Sequence, residues 1–238
     1  MNLLLLQEED FISDRCVKIG GRRLEHLRHI LSIRPGDSVR AGRVNGLCGE
    51  ARVLEISASE IILEVSLSTR PPEKHDIDVI LALPRPPVAQ RLLRHLAAFG
   101  IRRIIFLQTG RVQKSYWQSP VLQEEAVRKQ LVLGLEQAQD TVLPEVEYAR
   151  NFSVFMKKRL PEISEGRRCL LSHSEGASSC PCAVSAPVTT AFGPEGGFLA
   201  DEIEEFRDVG WETVHLGSRV LRVETAVQAV LGRLADIG

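Results

Sequence analysis

The segment Phe192-Gly193-Pro194-Glu195-Gly196-Gly197-Phe198 constrains the fold of this chain more than any other. It follows the short apolar run Pro187 to Ala191 and precedes an acidic amphipathic stretch from Leu199 to Val209, the pattern of a strand that ends, turns tightly and starts a helix. Three glycines within five positions remove the Cβ atoms that would keep a ligand from the backbone, and they permit positive φ where the turn needs it. The segment Leu216-Gly217-Ser218-Arg219-Val220-Leu221-Arg222-Val223-Glu224-Thr225-Ala226 has the same grammar: an apolar strand from Thr213 to Leu216, a glycine, then polar residues opening a helix. A third strand end, Leu171-Ser172-His173-Ser174-Glu175-Gly176, is a candidate third wall. Ligands of parallel sheets sit outside the carboxyl ends of the strands, where all three turns lie.

The rest of the chain supplies such a sheet. Beyond Arg70-Pro71-Pro72-Glu73-Lys74, strands expected at Asp78 to Leu83, Arg103 to Leu107, Pro144 to Tyr148, Arg168 to Ser172, Val188 to Phe192 and Thr213 to Leu216 alternate with helices. Alternation of this kind predicts an α/β domain with a mostly parallel sheet. One helix is expected from Val88 to Phe99. Ser119-Pro120 reads as an N-cap with proline at the first helical position, opening a long helix to about Gln139. Before the break, a helix over 21–33 and strands at Asp37 to Gly42, Leu47 to Ile56 and Glu60 to Leu67, with Asn45-Gly46 as a hairpin turn, predict a small antiparallel barrel. The expected domains are residues 1–72 and 73–238.

With 238 residues and 44% hydrophobic content the chain can bury a substantial core. No apolar run approaches the roughly 20 residues that a bilayer span needs, and scattered cysteines suit a reducing compartment, so a soluble cytoplasmic protein without membrane contact is expected. Cys180-Pro181-Cys182 has only His173 near it in sequence. It reads as a loop, and no metal is expected. Net charge is −1, yet the charges are segregated. Arg15 to Arg43 holds eight Lys or Arg residues against Glu25 and Asp37, and Pro84 to Trp117 holds seven with no acid. Such segments are either solvated faces or a surface for phosphates, with Arg22, Arg23, Arg28, Arg34, Arg85, Arg111 and Lys114 as candidate contacts. Tyr116 and Trp117, after the second basic run, suit either stacking on an extruded base or packing at the end of an element. Neither a Walker-type sequence nor a Gly-x-Gly-x-x-Gly turn occurs.

The two glycine segments, in this order near the C-terminus, closely resemble the RsmE family, small-subunit ribosomal RNA methyltransferases of the SPOUT class. The likeness extends to His26-Leu27-Arg28-His29-Ile30-Leu31 and Arg34-Pro35-Gly36-Asp37, and so covers nearly the whole chain. It implies a PUA-like, RNA-binding β-barrel over 1–72, followed by an α/β domain whose C-terminal part forms a trefoil knot, a feature no local pattern signals. It further implies a homodimer that uses S-adenosylmethionine to methylate N3 of a uridine in 16S rRNA, as free RNA or within the 30S subunit.

For the cofactor, the resemblance points to backbone groups at Gly193, Pro194, Gly196, Gly197 and Gly217, apolar walls from Leu171, Leu216 and Leu221, and close approach at His173, Thr225 and Ala226. Ala226, Ala229, Val230 and Leu234 fall at helical spacing and suit either a dimer contact or the helix's own core. Arg219 and Arg222 are candidate cations for the ring oxygens or a flanking phosphate. Glu224 is either a base or an acid favoured in a first helical turn, and Glu195 has the same two roles; the structural one is preferred for both. Departures from the family pattern stand at His95, Ala98 and Asp140, and Leu199-Ala200 replaces the usual Ser or Thr cap, which is expected to weaken the cap. They leave cofactor use intact and the acceptor less fixed. Another rRNA or tRNA site, or a non-catalytic RNA-binding protein that keeps the knot, are the alternatives. Reversing Arg22 and Arg23 together is expected to weaken RNA binding and flatten its salt dependence, measured by filter binding across a salt series.

Overall fold

The computed structural model describes residues 2–174 and 178–235. Its first elements are strands β1 (Leu4–Leu6), β2 (Phe11–Ser13) and β3 (Cys16–Gly20), helix α1 (Gly21–His29), and strands β4 (Ser38–Arg43), β5 (Cys48–Ile56) and β6 (Glu60–Thr69). They form a sheet in the order β1-β4-β5-β6-β3-β2. Every pairing is antiparallel except β1 with β4, which is parallel. The sheet is therefore mixed, where the sequence pattern led to an antiparallel one. The leucine run at the N-terminus carries no alternation, and that is its explanation: Leu4, Leu5 and Leu6 are all buried, so both faces of β1 need apolar side chains. In β6 the alternation is clean, with Ile61, Leu63 and Val65 inside beside Val17, Ile19, Ala51 and Val53.

Helix α1 closes over this core with Leu24 and Leu27 and stops at His29, shorter than the stretch to residue 33 that the sequence suggested. Its Arg23 is not a surface residue. The guanidinium makes two 2.6 Å bonds to the buried carboxylate of Asp10 and a third, at 3.0 Å, to the Leu5 carbonyl. Arg22 lies across both carboxylate oxygens of Glu136 at 2.9 Å. Residues 2 and 3 also belong to this core region, since their N–H groups both donate to the Glu136 carbonyl.

The second series runs β7 (His75–Ala82), α2 (Pro86–Ala98), β8 (Ile101–Leu107), α3 (Glu124–Ala138), β9 (Glu145–Ala149), α4 (Phe152–Val154), α5 (Leu160–Ser164), β10 (Arg168–Ser172), β11 (Ser178–Ser179), β12 (Val188–Phe192), α6 (Ala200–Asp208), β13 (Glu212–His215) and α7 (Val223–Leu234). A π-helical turn, Phe155–Arg159, joins α4 to α5. The strands make one sheet in the order β11-β13-β10-β12-β7-β8-β9 with every pairing parallel. Central strands β7, from Ile77 on, and β12 are buried at every position, as in a sheet covered on both faces, and Asp78, Thr189 and Thr190 are polar side chains within those runs. Ser119 does cap a helical turn, accepting from the Val121 N–H, but that turn is only the 3-10 segment Pro120–Leu122. Gln123 is extended at ψ 142°, and α3 starts afresh at Glu124.

One buried charge organises the amino ends of these strands. Asp78 of β7 is fully buried; Arg102 grips both its oxygens at 2.9 and 2.6 Å, Arg103 adds a bond at 3.2 Å, and Arg167 lies 3.9 Å away. Arg103 continues to Glu145 and Glu147, and Arg159 joins Glu147 to Glu162. Contacts divide the chain into two compact units. The first holds residues up to Glu73 with Ala97–Phe99 and Lys129–Leu143, and the second holds Lys74–Leu96, Gly100–Arg128 and Pro144 onward. No helix among the described residues is long and apolar enough to cross a membrane.

Arg23→Ala leaves the buried Asp10 carboxylate without its cation, and a loss of about 3 kcal/mol is expected from breaking such a pair. Urea unfolding measures it. The double charge reversal at Arg22 and Arg23 is thus a test of folding before it is one of RNA binding.

Candidate active site

Sheet order brings the three turns together. Strand β10 lies between β12 and β13, with Ser172 in register with Phe192 on one side and Val214 on the other. The three strands end level, and their turns emerge side by side from the carboxyl edge.

In the first turn the Gly197 N–H donates to the Pro194 carbonyl at 2.8 Å with Gly197 at φ +72°, a conformation that L side chains resist. At Gly193 the restriction is space: a Cβ there would stand 3.0 Å from Phe198 N and 3.1 Å from Gly197 Cα. The turn is braced from outside. Glu195 accepts the Arg85 N–H at 3.1 Å, Arg111 donates from its guanidinium to the Gly196 carbonyl, and the buried carboxylate of Glu202 accepts the N–H groups of Gly110 at 2.6 Å and Leu199 at 2.8 Å. Glu202 is the third residue of α6, and by accepting the Leu199 N–H it makes the reciprocal half of a capping box whose other half a leucine cannot supply. The sequence did not bring it out as a site residue, although an acid at that helix position is the signal of a cap.

The second turn is open. Gly217 sits at φ +106° with nothing within 4 Å of where a Cβ would be, and its N–H donates to His215 Nδ1 at 3.0 Å. His215 was missed in the sequence; only its place at the end of a strand marks it. Ser218 to Arg222 are exposed, including both candidate cations Arg219 and Arg222, and Val220 is 88% exposed. Helix α7 then starts, bringing Thr225 and Ala226 in its first turn behind Glu224. Glu224 pairs with Arg91 of α2 at 2.9 Å.

In the third turn Leu171 is buried and His173 is half-buried, its N–H donating to the Val214 carbonyl at 2.9 Å. Glu175 and Gly176 lie outside the described residues. The Ser172 hydroxyl at this edge is buried and has no hydrogen-bond partner among the described residues. Leu216 is half-buried and Leu221 exposed. Leu171, Leu216, Gly193, Pro194, Gly196, Gly197 and Gly217 thus come from the ends of three neighbouring strands or the turns after them.

The expected phosphate contacts scatter more. Arg28 donates to the Ala58 carbonyl at 3.1 Å, Arg34 and Lys114 are exposed, and Arg85 and Arg111 flank the glycine turn. Trp117 has a job inside the fold. Its indole N–H donates to Gln108 Oε1 at 2.5 Å, its ring meets the edge of Tyr148, and Arg150 lies 5.3 Å over it. Of the departures, His95 Nδ1 is 2.6 Å from the Gln228 amide, and Asp140 is buried with its carboxylate accepting the Val142 N–H at 2.9 Å. No group of three or more metal-ligating side chains occurs among the described residues. The segment Cys180 to Val184 is a loop pinned to α7, with Arg233 holding the Cys180 carbonyl at 2.7 Å.

Backbone-lined turns at the carboxyl edge of a parallel sheet, flanked by arginines, suit a compact ligand and a polyanion together. The family is settled by direct match: the chain belongs to the RNA methyltransferase domain family, whose model covers residues 71–235. Among its relatives is the ribosomal RNA small subunit methyltransferase E of Treponema pallidum, 26% identical over 96% of this chain and 88% of that protein. A protein of Borreliella burgdorferi named ribosomal RNA small subunit methyltransferase E 1 is 26% identical over 96% of this chain and 95% of its own length. The fold is shared with the crystal structure of the Neisseria gonorrhoeae ribosomal RNA small subunit methyltransferase E bound to S-adenosyl methionine, at a TM-score of 0.71 and 18% identity over 97% of this chain and 95% of that one.

The Glu224 carboxyl is held below the ordinary glutamate range, first by its own backbone N–H in the opening turn of α7, then by Arg91, with Arg222 adding to the field. A depressed carboxyl contributes stability above its unfolded pKa and loses it as pH falls through the folded value. Arg91→Ala is expected to raise the Glu224 pKa toward the ordinary value, read by NMR titration of the side-chain carboxyl through the acid range.

Proposed function

We propose that this chain is an S-adenosylmethionine-dependent methyltransferase that methylates N3 of a uridine in 16S rRNA of the small subunit. The observation that carries it is the level ending of β10, β12 and β13, which puts three backbone-lined turns at one edge in a member of an RNA methyltransferase family. The cofactor fits what is there: Gly193 leaves no room for a side chain, Gly217 faces open space, and the Ser172 hydroxyl is without a partner among the described residues. Gly193, Pro194, Gly196, Gly197 and Gly217 would hold it by backbone groups, Leu171, Leu216 and Leu221 would wall the adenine, and His173, Thr225 and Ala226 would border it.

When bound, S-adenosylmethionine supplies an electrophilic methyl on a sulfonium and leaves as a neutral thioether. Uracil N3 must shed its proton as the N–C bond forms, and negative charge then gathers on the ring oxygens. Arg219 and Arg222, exposed after Gly217, would stabilise that charge. Glu224, depressed in pKa and paired with Arg91, is a weak base, so its task is to hold cations near the acceptor while the proton passes to solvent. Alignment of donor and acceptor provides much of the rate. Arg28, Arg34, Arg85, Arg111 and Lys114 serve the RNA backbone, with Arg22 contributing its exposed edge.

We further take residues 1–72 as a PUA-like RNA-binding barrel and 73–238 as a SPOUT domain with a trefoil knot, acting as a homodimer in the cytoplasm. In support of the knot, the chain leaves β12 and crosses β10 to pair β13 with the far side of β10, and α7 is tied back to the loop after β11 by Ala183 N–H to the Arg233 carbonyl at 2.7 Å and Val184 N–H to the Leu234 carbonyl at 2.9 Å. The departures at His95 and Asp140 make hydrogen bonds within the fold, to the Gln228 amide and the Val142 N–H.

Gly217→Val forces a β-branched residue to φ +106° and fills the open side of the turn, and at least a tenfold loss, ~1.4 kcal/mol, of S-adenosylmethionine affinity is expected by calorimetry. Unchanged affinity in the folded variant would make the turn architectural only. Deleting the gene is expected to remove N3-methyluridine from 16S rRNA by nucleoside mass spectrometry, and restoring it on a plasmid to bring it back.

A further inference from the structure

We propose that Glu202 is a positioning residue that sets the cofactor affinity of the glycine turn by fixing its shape before ligand arrives; this rests on the turn's being the S-adenosylmethionine site. A turn with glycines at 193, 196 and 197 has many backbone conformations open to it, and holding one of them costs entropy. Something outside the turn must restrict it if binding is to be tight.

The restraint comes from the loop after β8. The Glu202 carboxylate accepts from Gly110, 92 residues away in the chain, at 2.6 Å and from Leu199, at the exit of the turn, at 2.8 Å. A Cβ on Gly110 would lie 2.4 Å from Leu199 Cδ1, so the loop is pressed directly onto the residue that ends the turn. The next residue, Arg111, grips the carbonyl of Gly196 and lays its methylenes over that glycine. Residues 110 and 111 thus hold the turn at its middle and at its exit. Burial makes Glu202 more than a cap. An exposed acid would cap α6 equally well, whereas this carboxylate is 6% exposed with no ion pair among the described residues, a placement that is costly unless its two bonds to N–H groups are kept.

Glu202→Gln tests this. An amide retains one acceptor and turns an NH2 toward the second donor, so one of the two backbone bonds is lost at nearly constant volume. The free protein is expected to keep its melting temperature within a few degrees while amide hydrogen exchange at Gly193, Gly196, Gly197 and Phe198 accelerates about tenfold and that of β12 does not. Calorimetry should show S-adenosylmethionine affinity falling about tenfold, and kinetics a matching rise in its KM with kcat within about twofold of wild type. Unchanged exchange in the turn, or unchanged affinity with folding intact, overturns the proposal. If the wild-type protein binds no S-adenosylmethionine the cofactor assignment fails instead, and the proposal about affinity falls with it, while the exchange experiment on the free protein still reports whether the brace exists. Should Glu202→Gln fail to fold, Arg111→Ala removes the neighbouring grip without stranding a buried charge and is expected to speed exchange at Gly196 and Gly197; no change there counts against the brace.

Discussion

The carboxylate of Asp78 is the fixed point of the larger sheet. A fully buried acid is tolerated only when its charge is matched and its lone pairs are filled, and three arginines from β8 and the start of β10 converge to do that. Arg102 and Arg103 lie on β8 and Arg167 just before β10, so this one carboxylate of β7 ties to itself the amino end of β8 and draws in the approach to β10. The sheet's two edges then have opposite characters. The amino edge is a lattice of charges that hold each other, and the carboxyl edge is released from structural duty and can be built of glycine and open backbone.

That division explains why the basic run from Pro84 to Trp117 could be seen but not interpreted in the sequence. Seven cations without an acid suggest a phosphate surface, yet Arg102 and Arg103 are bound to Asp78 and Arg91 to Glu224, acids remote or unremarkable in the chain. Charge segregation along a sequence says little when the compensating groups arrive from elsewhere in the fold. Arg23 is the same case on a smaller scale, since its partner Asp10 lies in a stretch with no periodicity to mark it.

Strands of the parallel sheet were legible because fully buried strands are short apolar runs between punctuating glycines and prolines, and β10 and β12 fall at the expected residues. β1, β2 and β3 were missed. The first is a bare leucine run that pairs in parallel with a strand over thirty residues on, a long-range pairing that no local pattern contains. At the candidate site the glycine turns could be found from the chain, since glycine is demanded by φ at Gly197 and Gly217 and by space at Gly193. The brace by Glu202, and the bond from Gly217 to His215, depend on which loops meet and so had to be seen in three dimensions.

The hairpin at Asn45-Gly46 bears on how the protein ages. An asparagine before glycine is the sequence most open to deamidation, because the small residue lets its backbone nitrogen attack the side-chain carbonyl. Here Asn45 is held at φ +56° with its side-chain oxygen accepting from the Leu143 N–H at 2.9 Å, and the Gly46 N–H is given to the Arg43 carbonyl at 2.8 Å. The nucleophile's N–H is engaged elsewhere and the side chain is tethered in one orientation, so the fold that uses this pair as a turn also restrains the approach its chemistry needs.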